Sequence, residues 1–355
     1  MHCGLAALAL PLLLAGCGAG YLLQATRGQL EVLAERRPIE RVIADPATAP
    51  ELRARLVQLQ QAREFASREL GLPDNRSYRS YAELDRPFVV WSVVATPEFS
   101  VEPLQWCFPV AGCVAYRGYF RQASAARFAA ELAADGHDVT VGGVSAYSTL
   151  GRFADPVLST MLRGAQSDVI GTLFHELAHQ VVYVADDTAF NEAFAVTVEQ
   201  AGLARWFQGA EDSQARQQWQ ARRTRQQQLV DLLGETRQRL ETLYASSASL
   251  EVKRASKQQE FASLTRRLQT LQAQWGTAGS LDAWIAAGLN NAHLASIANY
   301  WQCVPGFERL LAAVDGDLPA FYREVRQLAA RPADERRASL CARPNDQVER
   351  RAAAR

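Results

Sequence analysis

Residues 174–200 read FHELAHQVVYVADDTAFNEAFAVTVEQ. Apolar residues recur at helical spacing on both sides of a short polar segment, which predicts two neighbouring amphipathic helices. The first helix carries two histidines four residues apart, and the second carries acidic residues. The stretch therefore raises two possibilities: a metal site built from both helices, or two helices whose histidines simply pack in the core.

His175, Glu176 and His179 fit the pattern H-E-x-x-H. Residues four apart share a helix face, so both imidazoles can reach one Zn²⁺ while Glu176 lies beside the open coordination position. There Glu176 can act as general base toward a water molecule whose acidity the metal raises. The pattern also occurs by chance in helices. The chain has only 5 histidines, and two of them at this spacing with acids downstream favour the metal site.

A third ligand is needed downstream, and the sequence offers Glu192 and, seven residues later, Glu199. Both lie near one face of the second predicted helix, so spacing alone leaves the choice open. Three protein ligands leave a position open for catalysis, whereas a fourth makes the zinc structural. No cysteine lies between His175 and Glu192, which favours a catalytic site.

The order H-E-L-A-H-Q followed by D-x-x-x-N-E-x-F-A resembles the membrane-alanyl-type zinc aminopeptidases of the gluzincin group. The resemblance implies that Glu192 is the third zinc ligand and that Asp187 fixes a ligand histidine through a hydrogen bond. Glu199 then contacts a ligand from outside or lies at the surface. The chain differs from those large enzymes in its connecting loop, because only twelve residues separate His179 from Glu192.

The chain also resembles a bacterial lipoprotein family described as predicted aminopeptidases. The resemblance rests on these motifs, on the segment GGVSAYSTLGRF at residues 142–153 and on the N-terminal segment described below. This resemblance covers nearly the whole mature chain. It implies a metallopeptidase that holds one Zn²⁺, acts on peptides and uses Glu176 as general base. The alternative is a non-catalytic envelope scaffold or binding lipoprotein in which the zinc is structural.

Aminopeptidases of this type bind their substrate along a Gly-rich edge strand that ends in a Glu, which holds the free amine. The segment from Gly142 to Tyr147 lies at a comparable place and can donate backbone hydrogen bonds to an extended peptide, but it lacks that Glu. Endopeptidase action therefore stays open, and the segment is equally typical of an ordinary turn. The candidate donors to a developing oxyanion are Tyr300 and His293, seven apart on one predicted helix, and Tyr147.

The first twenty residues, MHCGLAALALPLLLAGCGAG, have a short apolar core that ends in small residues, which is typical of a secretory signal. Residues 14–17, LAGC, resemble a bacterial lipobox. That resemblance implies that residues 1–16 are removed and that Cys17 is lipidated, anchoring the protein to a membrane. Gly18 after the cysteine fits the periplasmic face of the outer membrane. A plain cleaved signal or an uncleaved anchor is the alternative.

The remaining cysteines are Cys107, Cys113, Cys303 and Cys341, an even number in an oxidising compartment. Four cysteines allow three pairings. A proline and a glycine between the first two suit a turn that brings them together, which favours pairing Cys107 with Cys113 and Cys303 with Cys341. A zinc site of these thiols is the weaker interpretation because the CxxC spacing is absent.

Composition restricts the partners of the protein. Lys plus Arg and Asp plus Glu both number 38, and this balance argues against nucleic acid, which usually requires a basic face.

Residues 210–276 are rich in Gln, Arg and Leu and are interrupted near 244–250, which predicts a long helical hairpin with leucine seams. Such a hairpin can bind a protein partner, although a solvated face is the commoner role.

The sequence thus predicts an α+β, mostly helical fold with a zincin-like core, a small β-sheet and a helical hairpin. Runs rich in β-branched and aromatic residues predict strands at 87–96, 113–120 and 137–147, with a helix at 124–136. The expected division is a signal at 1–16, a core at 17–209, the hairpin at 210–276, a helical C-terminal part of the catalytic domain at 277–341 and a charged tail at 342–355.

Overall fold

The computed structural model describes residues 16–108, 112–208, 213–277, 279 and 281–341. The predicted signal, apart from Gly16, and the predicted tail at 342–355 lie outside the described residues. The described chain is mostly helical with small sheets, which confirms the predicted α+β class. None of its described helices combines the length and the apolar character needed to cross a membrane.

Several helices begin at residues whose chemistry favours a helix start. Pro50 opens one of them with a backbone angle already set for the first turn. The side chains of Ser249 and Asp317 each accept a hydrogen bond from a backbone N–H three residues later. In chain order the helices are α1 (Gly16–Ala34), α2 (Ile39–Ala44), α3 (Pro50–Arg68), α4 (Gln122–Ala134), α5 (Gln166–Ala178), α6 (Thr188–Gln208), α7 (Ser213–Ala245), α8 (Leu250–Gln274), α9 (Asp282–Ala286), α10 (Asn291–Trp301), α11 (Val304–Ala312), α12 (Leu318–Ala329) and α13 (Ala333–Leu340).

The strands form small sheets beside these helices. One sheet has the order β1-β2-β8, a second has the antiparallel order β6-β3-β7, and β4 pairs with β5. In the second sheet β7 is an edge strand, and α4 packs on the face opposite to the one that α10 approaches. In chain order the strands are β1 (Arg36–Pro38), β2 (Ser80–Ala82), β3 (Val90–Thr96), β4 (Trp106–Phe108), β5 (Gly112–Val114), β6 (Arg117–Tyr119), β7 (Asp138–Val144) and β8 (Val157–Leu158).

The stretch predicted as one strand at 113–120 is two short strands in different sheets. The Cys107–Cys113 disulfide links β5 to β4, whereas β6 pairs with β3. Between them the chain hydrogen-bonds to the start of α6, because Ala115 N donates to Thr188 Oγ1 at 3.3 Å. These contacts connect the strand region directly to the helix that carries Glu192.

The main core forms where α5 and α6 pack against each other and against α3, α11 and α12. Phe194 of α6 is fully buried and stacks on Phe321 of α12 at 5.8 Å between ring centroids. Full burial of such a side chain contributes about 1.5–3 kcal/mol. This packing fixes α6 relative to α5, and both helices carry the candidate ligands.

Helices α7 and α8 form the predicted hairpin, with buried leucines along their seam. The hairpin is attached to the sheet by an ion pair of 2.7 Å between Lys257 Nζ and Asp138 Oδ2 at the start of β7. Near the C-terminus, a disulfide joins Cys303 to Cys341. The two disulfides of the structure are the pairs favoured above.

Candidate active site

Helix α5 presents the H-E-x-x-H residues because its apolar residues occupy the opposite face. Leu173, Phe174 and Leu177 are fully buried in the main core. His175 and Glu176 therefore face the other way, toward a cavity beside the sheet. His179 caps the C-terminal end of the helix, one turn beyond His175, and its ring lies 4.9 Å from that of His175 between centroids.

The short loop after α5 brings Glu192 back to these histidines. Asn191 closes the loop with two hydrogen bonds to the backbone of Val184, accepting from its N–H at 2.8 Å and donating to its carbonyl at 2.7 Å. Helix α6 begins at Thr188, so Glu192 lies in its second turn and points at the face of α5 that carries the histidines. Of the twelve residues between His179 and Glu192, the last four already belong to α6, so the loop itself has eight residues, 180–187.

The three side chains have the spacing of a metal ligand set. The Oε2 atom of Glu192 lies 3.3 Å from His175 Nε2 and 3.7 Å from His179 Nε2. Tetrahedral ligands at 2.0–2.1 Å from zinc lie about 3.4 Å apart, so these distances fit one ion. One ligand atom from each residue lies within 4.8 Å of the others. Two imidazoles and one carboxylate are also a donor set that zinc accepts.

Glu199 supports His175 from the side away from the ligand group. Its Oε2 lies 3.1 Å from His175 Nδ1, so the carboxylate accepts that N–H and leaves Nε2 free for a metal. This contact requires α5 and α6 to be close, and Gly171 allows it. A Cβ at Gly171 would lie 3.0 Å from Glu199 Oε1. Glu199 therefore touches a candidate ligand and is not part of the ligand group in the structure.

Asp187 does not have the role that the resemblance implied. Its Oδ2 accepts hydrogen bonds from Arg336 at 2.7 and 2.9 Å, and its Oδ1 accepts the backbone N–H of Phe190 at 3.2 Å. The buried Nδ1 of His179 has no protein partner among the described residues. Asp187 is held by Arg336 because Arg336 is buried beside it, and a buried guanidinium requires a carboxylate partner.

The two carboxylates beside His175, those of Glu192 and Glu199, favour a positive charge at this place. Burial raises the pKa of Glu192, but His179 and His175 outweigh burial and bring the pKa to about 2. Burial lowers the pKa of His175, yet its contacts with Glu192 and Glu199 outweigh burial and raise the pKa well above its usual value. The carboxylates thus stabilise positive charge between them, which is the environment that a divalent ion requires.

A cavity of about 390 Å³ opens beside these residues. Its walls come from α5, α6, α10 and the cavity-facing side of β3 and β7, and this volume is typical of a small-ligand pocket. Glu176, His175, His179 and Glu192 all lie on its wall. Burial is the largest influence on the pKa of Glu176 and raises it.

A family model described as "Putative aminopeptidase" matches residues 20–340 of the chain. The chain belongs to this family. A search of curated proteins and a search of solved structures returned no match. The aminopeptidase family implies peptidase activity and a peptide substrate.

Among the candidate oxyanion donors of this aminopeptidase-family protein, Tyr300 is the best placed. It lines the cavity, and its ring stacks 6.3 Å from that of His175 between centroids. The negative charge of Glu192 is the largest influence on the pKa of Tyr300 and raises it well above its usual value. Its hydroxyl therefore stays protonated and can donate a hydrogen bond. Tyr147 also lines the cavity, but its hydroxyl donates to Gln29.

His293, a further candidate donor, does not reach the cavity wall in this structure. It is buried at the start of α10 and does not line the cavity. Its Nδ1 accepts the backbone N–H of Asn290 at 3.2 Å, and its Nε2 lies 3.0 Å from Thr140 Oγ1. His293 thus completes a helix cap and links α10 to β7. Burial lowers its pKa to about 4.

Sequence reasoning missed two tyrosines of the cavity. Tyr116, between β5 and β6, and Tyr183, in the loop after α5, both line it. Burial and the charge of Glu192 raise the pKa of both hydroxyls. No motif includes either residue, because each reaches the site from an irregular segment whose path depends on the whole fold.

Proposed function

We propose that this protein is a zinc-dependent peptidase. The observation that carries the proposal is the group of His175, His179 and Glu192 on the wall of a cavity, with Glu176 beside it. Three protein ligands are the number typical of catalytic zinc sites. A zinc ion held there would make a water molecule more acidic and would polarise the carbonyl of the bond to be cleaved.

The edge strand β7 is suited to hold the substrate. Asn290 donates a hydrogen bond to the carbonyl of Val139 at 2.9 Å, so this carbonyl points away from β3. Ala95 lies opposite Val139 in β3, and its carbonyl accepts a hydrogen bond from Leu104 and not from β7. Because peptide groups alternate along a strand, the backbone N–H and carbonyl groups of Val141 and Gly143 also point away from β3. Both residues are exposed, so an extended peptide can add to this edge.

Two side chains of the protein take part in the proposed reaction, those of Glu176 and Tyr300. Glu176 accepts the proton of the attacking water and then gives it to the leaving amine, so that the amine departs uncharged. Tyr300 donates a hydrogen bond to the oxygen that becomes negative as water adds to the carbonyl. Glu199 holds the ring of His175 throughout.

The experiment compares Glu176→Gln with wild type. Gln keeps the shape of Glu176 but has no basic oxygen, so turnover of peptides should fall by about 10²–10⁴-fold while zinc content stays the same. Peptide hydrolysis and metal analysis measure the two effects. Asp168→Asn removes the same charge from an exposed position of α5 and should leave both unchanged. Equal turnover by Glu176→Gln and wild type would refute the mechanism.

We also propose that the protein is anchored by a lipid on Cys17 in the bacterial cell envelope, on the periplasmic face of the outer membrane. The lipobox-like residues 14–17 support this proposal. Acyl labelling should be lost in Cys17→Ser and kept in Cys3→Ser. Equal labelling of wild type and Cys17→Ser would contradict the anchor.

A further inference from the structure

We infer that Gly142 opens a side-chain subsite, so that the preferred substrates carry a bulky apolar residue next to the cleaved bond. The inference rests on the proposed peptidase function and names its substrate class. The two adjacent glycines of β7 differ in their surroundings.

The two glycines face opposite sides of the sheet. A Cβ at Gly143 would collide with the ring of Phe88, so packing on that side explains why residue 143 is a glycine. A Cβ at Gly142 would meet nothing within 4 Å. Packing within the chain therefore does not require a glycine at position 142.

The open space at Gly142 belongs to the cavity. In the register of the sheet Gly142 lies opposite Ser92, and Thr140 lies opposite Val94. Opposite residues of paired strands share a face, and all four of these residues line the cavity. The side chain that Gly142 lacks would have pointed into the cavity beside the candidate ligands.

A substrate added to β7 would use this space. The substrate residue opposite Gly142 would direct its side chain to the same face as Gly142, and the flanking substrate residues would hydrogen-bond to Val141 and Gly143. That side chain would enter the cavity, where a charged group would be desolvated at high cost. The apolar residues of the cavity wall include Val90, Val94, Val144, Leu150 and Trp284.

The test uses two peptides that differ only in the residue next to the cleaved bond, which is Phe in one and Ala in the other. Each peptide is given to the wild type and to the variant Gly142→Val. Wild type should prefer the Phe peptide by about 10-fold or more in kcat/KM, because a few buried methylenes give discrimination of that order. Gly142→Val should lower kcat/KM for the Phe peptide by about 10–100-fold and that for the Ala peptide by less than about threefold. Gly234→Val, in the hairpin where a Cβ also meets nothing within 4 Å, should change neither.

A binding measurement separates this inference from the proposed catalysis. The zinc-loaded Glu176→Gln protein should bind the Phe peptide more tightly than the Ala peptide, and adding Gly142→Val should remove the difference. If no peptide is cleaved but this binding pattern is found, the peptidase proposal fails and the subsite stands. Equal loss with both peptides in Gly142→Val, or a preference of wild type for Ala or for a charged residue, overturns the subsite.

Discussion

At the scale of single residues, the site depends on two glutamates of α6 that approach His175 from different sides. Glu192 lies near Nε2 of His175 and near His179, whereas Glu199 lies at Nδ1 of His175. With a metal at Nε2 of His175, a carboxylate on that side can share the metal, and a carboxylate at Nδ1 orients the ring. We therefore expect the two acids to differ in role although they lie on one helix.

This difference predicts separate effects of mutation. Glu192→Ala should lose zinc, since it removes one of three ligands, whereas Glu199→Gln should keep zinc with an affinity about 10–100-fold weaker. Metal analysis after dialysis and competition with a zinc chelator measure the two effects. If Glu199→Gln loses zinc while Glu192→Ala keeps it, the third ligand has been wrongly assigned.

The residue scale also shows what the sequence can predict about the site. The distance of four residues between His175 and His179 fixes their common face through local helix geometry, so the motif is visible in the sequence. The partner of Asp187 is not, because Arg336 lies 149 residues away and reaches Asp187 only after α13 has docked. The role expected for Asp187 came from another protein group with a different connecting loop.

At the scale of elements, long periodic segments were predictable and short ones were not. The hairpin helices α7 and α8 have a sustained leucine pattern, and their break coincides with the serine-rich turn before Ser249. Strands β1, β2 and β8 have only two or three residues each, too few to show an alternation. They exist because tertiary packing brings their backbones together.

The hairpin is connected to the walls of the cavity through Asp138. The carboxylate of Asp138, at the start of β7, pairs with the ammonium group of Lys257 of α8 at 2.7 Å. It also accepts a hydrogen bond from the backbone N–H of Asn291 at 2.9 Å. One carboxylate thus joins the hairpin, the edge strand and α10, which carries Tyr300. The hairpin therefore supports two walls of the cavity without contributing a ligand.

At the scale of the whole molecule, the C-terminal helices are attached to two of the elements that carry candidate site residues. The Cys303–Cys341 disulfide joins the start of α11, just after Tyr300, to the end of α13. Arg336 of the same α13 binds Asp187 at the start of α6. The segment that presents Tyr300 and the helix that presents Glu192 are thus attached to one C-terminal element.

This arrangement predicts unequal contributions of the two disulfides to stability. A cross-link that closes a longer loop restricts the unfolded chain more, and the separations are 38 residues for Cys303–Cys341 and 6 for Cys107–Cys113. Replacing both cysteines by Ala should lower the free energy of unfolding by about 4 kcal/mol for the first pair and about 2 kcal/mol for the second.

Urea unfolding of the oxidised wild type and of the two double variants measures this difference. Alanine is the suitable replacement because Cys303 is buried, and a serine hydroxyl there would add a separate cost. The Cys107→Ala, Cys113→Ala protein serves as the control for losing a disulfide as such. A loss for Cys303–Cys341 no larger than that of the control would mean that the C-terminal helices hold their place by packing and by the Arg336–Asp187 ion pair alone.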